Sequence, residues 1–445
     1  MAQRYAISDL VRVGMLEEIT TPGELETSAP YEVLTTTGIT PTIDGTTVTD
    51  PSITGAGEVL DVQTTGREPA LTTPAMLRFN DCRPIIGPAL RSLYATPVAI
   101  VGAANISVDN AGTHQDGSIG PQIIAVGSTT AFNDLINYGG ASANGAEGLA
   151  YKASGFADDE NNWQRRIKAV YVDGADSKID IMPGYVGGAP GFFGEPMVNA
   201  SGESPTINVG TTVRNQVTGP GVKCYSALWQ YTDMQVNGRF AAHSGLVAAN
   251  LSHSWTGREG VTVSADWVGQ RHYALTGTDP SGQGFVDNQL YTQMLTAADP
   301  LKHFAIVTDM TPIVLSQQFM NGFDFTVEGN TSAITDTSGT SFSTGVTQGS
   351  HVPSGSIDYY LVDDPRSEQL ANIGNQGTSE KGVIDWCFED RDGNQSLWAC
   401  LWNEFGPTTP SPGAINNQVG GSITFAGQQL TRTSRTILNQ EIPAV

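Results

Sequence analysis

Residues 243–269 alternate between apolar and polar positions. Val247, Ala249, Leu251 and Trp255 share one parity, and after an interruption Val261, Val263, Ala265 and Trp267 alternate with Thr262, Ser264 and Asp266. Thr256-Gly257-Arg258-Glu259-Gly260 separates the two runs. Period-2 alternation on both sides of a Gly-containing loop predicts two antiparallel strands with one buried face. A second hairpin is predicted near the C-terminus. There Ile384, Trp386 and Phe388 share a face with Leu397, Ala399 and Leu401, across a turn centred on Asp392-Gly393 or Gly393-Asn394. Both registers keep these faces. The opposite face then carries Asp385, Cys387, Glu389, Trp398, Cys400 and Trp402. Its aromatics lie either under a loop of their own chain or against a neighbouring subunit. Trp398, Trp402 and Glu389 are therefore the candidate subunit-interface residues.

Between these hairpins the pattern remains strand-like. Phe323, Phe325 and Val327 alternate with Asp324, Thr326 and Glu328. An apolar strand running into a short helix is predicted twice, near 75–94 and near 356–374. Asn80 or Asp81 caps the first helix, which Pro84 and Pro88 keep short; Asp364, Pro365 and Gly374 suit the cap, first turn and end of the second. The two units read equally as a duplication or as ordinary strand–helix pieces. Residues 121–210 differ in character. From Tyr151 they give strand, Gly-Phe…Asn-Asn turn, strand, Asp-Gly turn and strand, a three-strand meander, and Pro183 to Pro205 reads as linker. Residues 329–356 are rich in Ser, Thr and Gly and read as a long loop or extended hairpin.

Composition sharpens the class. With 51 Gly and 24 Pro in 445 residues, short strands and many turns are expected, so the fold is mainly β with short helices and two or three modules. No run approaches a membrane-spanning length, and the N-terminus lacks a signal-peptide pattern. The formal charge is −23, from 22 basic and 45 acidic residues. Stable nucleic-acid binding needs Lys and Arg to displace counterions, so this balance argues against it. It does not argue against DNA sliding past, since a conduit should repel phosphates. Cys82, Cys224, Cys387 and Cys400 lie far apart without a CxxC, which gives neither a disulfide framework nor a zinc site. Cys387 and Cys400 are expected on one hairpin face as reduced thiols.

Candidate chemistry is thin. Gly339-Thr340-Ser341 has the wording of a subtilisin-type nucleophile, but His114 in Gly-Thr-His-Gln-Asp-Gly does not supply the partner motifs in order. Asp390-Arg391-Asp392-Gly393-Asn394 holds half of a calcium-loop spacing, and a hairpin turn explains it. His114, His243, His253, His272, His303 and His351 show no metal-ligand spacing. The chain is expected to be no enzyme and to need no cofactor or metal.

The 243–269 hairpin, with its polar strand, short loop and xVTVSxxWVG wording, resembles the conserved-fold region of tail tube proteins of long-tailed, siphovirus-like double-stranded DNA viruses. The Gly-Phe…Asn-Asn meander and the strand–helix–strand tail resemble the same family. The resemblance covers roughly 31–110 and 222–440. It implies a duplicated or elaborated tail-tube β-sandwich, whose sheets close into a ring with those of neighbouring copies, plus an inserted small β-module. On that reading 1–30 is an N-terminal arm and 31–120 the first tube-domain part. Residues 121–210 are the inserted module and linker, placed outside the tube and expendable for tube formation. Residues 211–300 are the core hairpin region, and 301–445 the second tube-domain part. The implied function is a structural virion protein, assembled in the host cytoplasm, whose stacked rings form the viral tail tube that conducts DNA during ejection. Its implied partners are itself, with three chains per ring favoured over six, and the tape-measure, tail-terminator and distal tail proteins, with DNA passing unbound and no membrane. The alternative is another β-rich virion or surface component: a baseplate, fibre or decoration protein.

Overall fold

The computed structural model describes residues 11–49, 62–103, 105–140, 145–162, 164–182, 197–215, 223–232, 239–290, 292–296, 301–308, 311–314, 320–334, 342–363, 365–373, 381–415, 418–427 and 437–444. The chain opens with strands β1 (Val11–Glu17), β2 (Tyr31–Val33), β3 (Thr40–Thr49) and β4 (Val62–Met76), then helix α1 (Arg83–Ala89). A run of short elements follows: β5 (Val98–Ile100), β6 (Ile106–Thr113), β7 (Ile119–Ala125), α2 (Asn133–Ile136) and β8 (Ala150–Ser154). It continues with β9 (Arg165–Asp173), β10 (Asp176–Ile181), β11 (Ala200–Glu203) and β12 (Thr206–Arg214). Long strands then return as β13 (Tyr225–Tyr231), β14 (Arg239–Thr256), β15 (Thr262–Val268) and β16 (Arg271–Thr276), with a short β17 (Phe285–Val286). The last part holds β18 (Leu301–Thr308), β19 (Thr311–Val314), β20 (Met320–Glu328), a small hairpin of β21 (Ser332–Ile334) and β22 (Gly345–Thr347), β23 (Val352–Tyr360) and α3 (Pro365–Asn372). It ends with β24 (Lys381–Glu389), β25 (Gln395–Phe405), β26 (Ser411–Ile415), β27 (Gln418–Gly427) and β28 (Ile437–Ile442). The protein is mainly β with short helices, as its composition predicts.

One long sheet runs β3-β4-β15-β14-β20-β23-β27-β25-β24-β18-β19. It turns back on itself, so that Phe323 of β20 meets Trp386 of β24 with ring centroids 4.8 Å apart. Trp255, Phe304, Phe325, Phe388, Trp398 and Phe425 complete this sandwich-like core. Fully burying one such ring contributes roughly 1.5–3 kcal/mol. A second sheet runs β17-β2-β1-β13-β14-β16. β14 serves both sheets, residues 239–246 in the second and 247–256 in the long one. The crossover falls at Gly245, whose φ of +67° suits glycine, and a Cβ there would lie 2.6 Å from the Gln270 side chain.

The opening hairpin forms as predicted, with Leu251 opposite Ala265 and Ser252 opposite Ser264. A bulge between Ala248 and Asn250 moves Ala248, not Ala249, into the core. The C-terminal hairpin forms in another register. Trp386 pairs with Trp398, Ile384 with Cys400 and Cys387 with Leu397. Its loop is five residues rather than two, because the Asp390 carboxylate accepts from Asp392 N at 3.0 Å and Asn394 N at 2.9 Å. An odd loop exchanges the faces of the returning strand. Cys387 and Cys400 therefore lie on opposite faces; both are buried and reduced. At the first helix the N-cap residue is Cys82, and the Asp81 carboxylate instead accepts from Leu290 N and Thr292 N. Pro365 starts α3 as expected, while Asp364, Gly374 and Gly339-Thr340-Ser341 lie outside the described residues.

The inserted module is larger than its sequence suggested. Its own core runs from Ile100 to Val209, so β5 and β6 pack with it and with β7 rather than with the preceding part. Its sheet order is β11-β6-β7-β10-β9, and the β8–β9–β10 meander forms. It is also fused to the long sheet. Ala399 of β25 and Leu438 of β28 complete its core, and Ala150 packs with Ala305, Cys387, Leu397 and Ile442. A buried ion pair joins Arg166 of β9 to Asp385 of β24. β28 lies between β25 and β12, and its Gln440 donates to the carbonyls of Ala150 and Val209. β27 and β28 lie end to end on one edge of β25, with Gly427 opposite Asn403 and Ile437 opposite Cys400.

Candidate functional site: a base-free polar sheet face

Alternation along β4, β15, β14, β20, β23 and β27 sends most large apolar side chains inward, with Val352 and Val419 left exposed near strand ends. What remains outside is mainly polar. Thr72 and Pro74 on β4 are followed by Thr262, Ser264 and Asp266 on β15 and by Asn250, Ser252 and Ser254 on β14. Asp324, Thr326 and Glu328 follow on β20, Ser354, Ser356 and Asp358 on β23, and Ser422 and Thr424 on β27. Each of these residues is exposed or half-exposed. The register aligns them into cross-strand rows, such as Ser264–Ser252–Thr326–Ser354 and Thr262–Ser254–Asp324–Ser356–Thr424. Among these positions the charged side chains are Asp266, Asp324, Glu328 and Asp358, and none is Lys or Arg.

The carboxylates are held by short contacts. Thr72 Oγ1 donates to Asp266 at 2.8 Å, and Ser254 and Thr262 share a hydroxyl hydrogen bond of 3.0 Å. Partial burial, and then the like charge of Asp358, push the Asp324 carboxyl above its usual range. Like charges at one site concentrate negative potential over these positions, none of which is Lys or Arg. Such a face repels polyanions and offers few long side chains on which a passing chain can snag.

The residues singled out from the sequence lie elsewhere. Trp398 is fully buried, stacked parallel to Trp386 with centroids 6.0 Å apart, and has no surface to offer a neighbour. The register shift explains this: it turns Trp398 to the core. Glu389 is half-exposed, accepts from Gln395 Nε2 at 2.7 Å and lies 3.6 Å from Lys152 Nζ of the inserted module. Trp402 belongs to β25, and its side chain falls outside the described residues. The structure thus does not gather Trp398 and Glu389 into one patch. Individual strands carry the face's alternation in the sequence. Its continuity across β4, β15, β14, β20, β23 and β27 depends on pairings between distant segments, which the sequence does not display.

Two further features complete the picture. A cavity of about 480 Å³ lies between α1 and strands β1 and β13, lined by Met15, Arg83, Pro84, Pro88, Tyr94 and Tyr225 among others. Arg83 stacks on Tyr94 and pairs with the fully buried Glu441. Among the described residues no group of three or more His, Cys, Asp or Glu is placed to hold a metal ion, and no helix is long and apolar enough to cross a membrane.

No family model and no curated protein matches the chain. Among solved structures, a cryo-EM structure of the anti-feeding prophage (AFP) baseplate, 6-fold symmetrised, is similar over 28% of this chain and 88% of that one. The identity is 10% and the TM-score 0.21, too low to establish a shared fold.

Proposed function

We propose that this chain is a structural virion protein: the subunit of a self-assembled tube in the tail of a long-tailed DNA virus, with the base-free polar face turned to the passage. The observation that carries this reading is the six-strand face bearing Ser, Thr and carboxylates without a Lys or Arg. Double-stranded DNA binds proteins through cations that displace its counterions, so a wall without them lets it slide. Assembly would proceed through the ends of the long sheet. Among the described residues β3 and β19 each pair on one side only. β3 is a ten-residue edge rich in Thr, interrupted by Pro41 and a bulge at Thr46/Thr47. An edge so lightly guarded invites a strand from another copy. β19 is short, carries Pro312 and has α3 beside it, so it is the better protected end. If the two strand–helix units mark two tube domains, three chains complete a ring.

Negative-stain microscopy of the purified protein tests the reading. Tubes, or flat rings with a central hole, are the expected result. Monomers or isolated rods at high concentration would instead favour a baseplate, fibre or decoration component.

A further inference from the structure

His243 of β14 stands directly opposite His272 of β16, their rings edge to face at 5.1 Å between centroids. His243 is fully buried and covered by Trp229 of β13 at 4.9 Å. Neither of its ring nitrogens has a hydrogen-bond partner among the described residues, and neither does Nδ1 of His272. Buried polar atoms are normally satisfied, so this pair tolerates two neutral imidazoles and offers nothing to stabilise a cation. The charges it feels are unfavourable: each imidazole faces the other, and His272 also faces the exposed Arg67 of β4. β13 sets Ala227 opposite His243 and lays the Trp229 ring against it, neither of which carries charge. β16 itself is an edge strand, half-exposed and paired with β14 alone among the described residues.

We propose that the His243–His272 pair is an acid-operated latch, which releases β16 from the edge of β14 while the long sheet stays folded. Burial, reinforced by His272, pushes the His243 imidazole down to about 3 from an ordinary 6.5. The sign follows. Release carries His272 into solvent and strips His243 of its cover on that side, so both imidazoles move back towards 6.5 and the open state gains protons that the closed state refuses. The latch is closed above that pH and weakens progressively as pH falls below it. Opening frees the N–H and C=O groups of residues 240–244 of β14 for another strand.

Hydrogen exchange followed by mass spectrometry at pH 7 and pH 5, corrected for the intrinsic rate, tests the latch in the full chain. Expected is at least a tenfold loss of protection in 271–276 at pH 5, with 262–268 of β15 nearly unchanged. His272→Thr should shrink that difference, and His243→Phe combined with His272→Thr should remove it. Parallel loss in both segments, or an undiminished pH effect in the double variant, would overturn the proposal. If the double variant does not fold at pH 7, an unchanged pH effect in His272→Thr alone overturns it as well.

Discussion

Asp385 is fully buried, and its charge is balanced by Arg166 across the joint between module and sheet. Burial pushes its carboxyl up and the guanidinium opposes that shift. Removing one partner of a buried pair leaves the other charge stranded, at about 3–5 kcal/mol. Asp385→Ala should therefore lower stability by that order in urea denaturation, while Asp385→Leu with Arg166→Met should recover most of it. A loss under about 1 kcal/mol for the single variant would mean the pair is solvated in a way its burial denies. His253 makes a related point inside the aromatic core. It accepts from Trp386 Nε1 at 3.3 Å, and burial holds its imidazole down at about 3. Its folded affinity for protons is thus lower than in the unfolded chain. Stability is complete above pH 6.5 and declines as pH falls towards 3, by up to about 1.4 kcal/mol per pH unit. Urea midpoints at pH 7 and 5 measure this, and His253→Phe should flatten the slope.

Single elements were legible where the code is local. The 243–269 strands, the meander after Tyr151 and the Pro365 helix start all follow from alternation and turn chemistry acting within a few residues. The C-terminal hairpin was misread because its register depends on where the Asp390 carboxylate points, which alternation does not encode. The helix after β4 lost its predicted cap for the same kind of reason: Asp81 is recruited by Leu290 and Thr292, more than two hundred positions away. The polar sheet face was half legible, since each strand shows its Ser and Thr positions while the strand order stays hidden. The module's joint with the long sheet was missed because its core borrows Ala399 and Leu438 from the far end of the chain. That shared seam has a sensitive point. Gly210 of β12 has φ of +68°, and a Cβ there would sit 2.1 Å from the backbone oxygen of Glu441. Backbone cannot give way as a flexible side chain can, so Gly210→Ala should cost more than the roughly 1–3 kcal/mol of left-handed strain alone. Thermal melting checks this; a drop of only a degree or two would show that β28 shifts freely.

For the molecule as a whole, the fused module changes an expectation. An insert that merely leaves at a loop would be expendable, but this one covers Asp385, Cys387 and Leu397 and holds β28 in place. Deleting residues 98–209 should give insoluble protein rather than a smaller assembly, judged by soluble yield and circular dichroism. Asp266→Lys with Glu328→Lys leaves the core untouched and converts the polar face into one that grips phosphates. Assembled variant particles should retain double-stranded DNA at low salt and release it as salt rises, whereas the parent should not; equal retention by both would place that face away from DNA.

Because β27 and β28 occupy the same side of β25, the chain departs after Gly427 and returns at Ile437 only three partner residues further on, about 10 Å along the strand. The described ladders on β25 are set by residues up to Gly427 and from Ile437 onward. The site is therefore a natural port for foreign sequence. A folded reporter spliced there would be carried once per subunit, repeated along any filament the protein builds, and would display a cargo array with the spacing of the lattice itself.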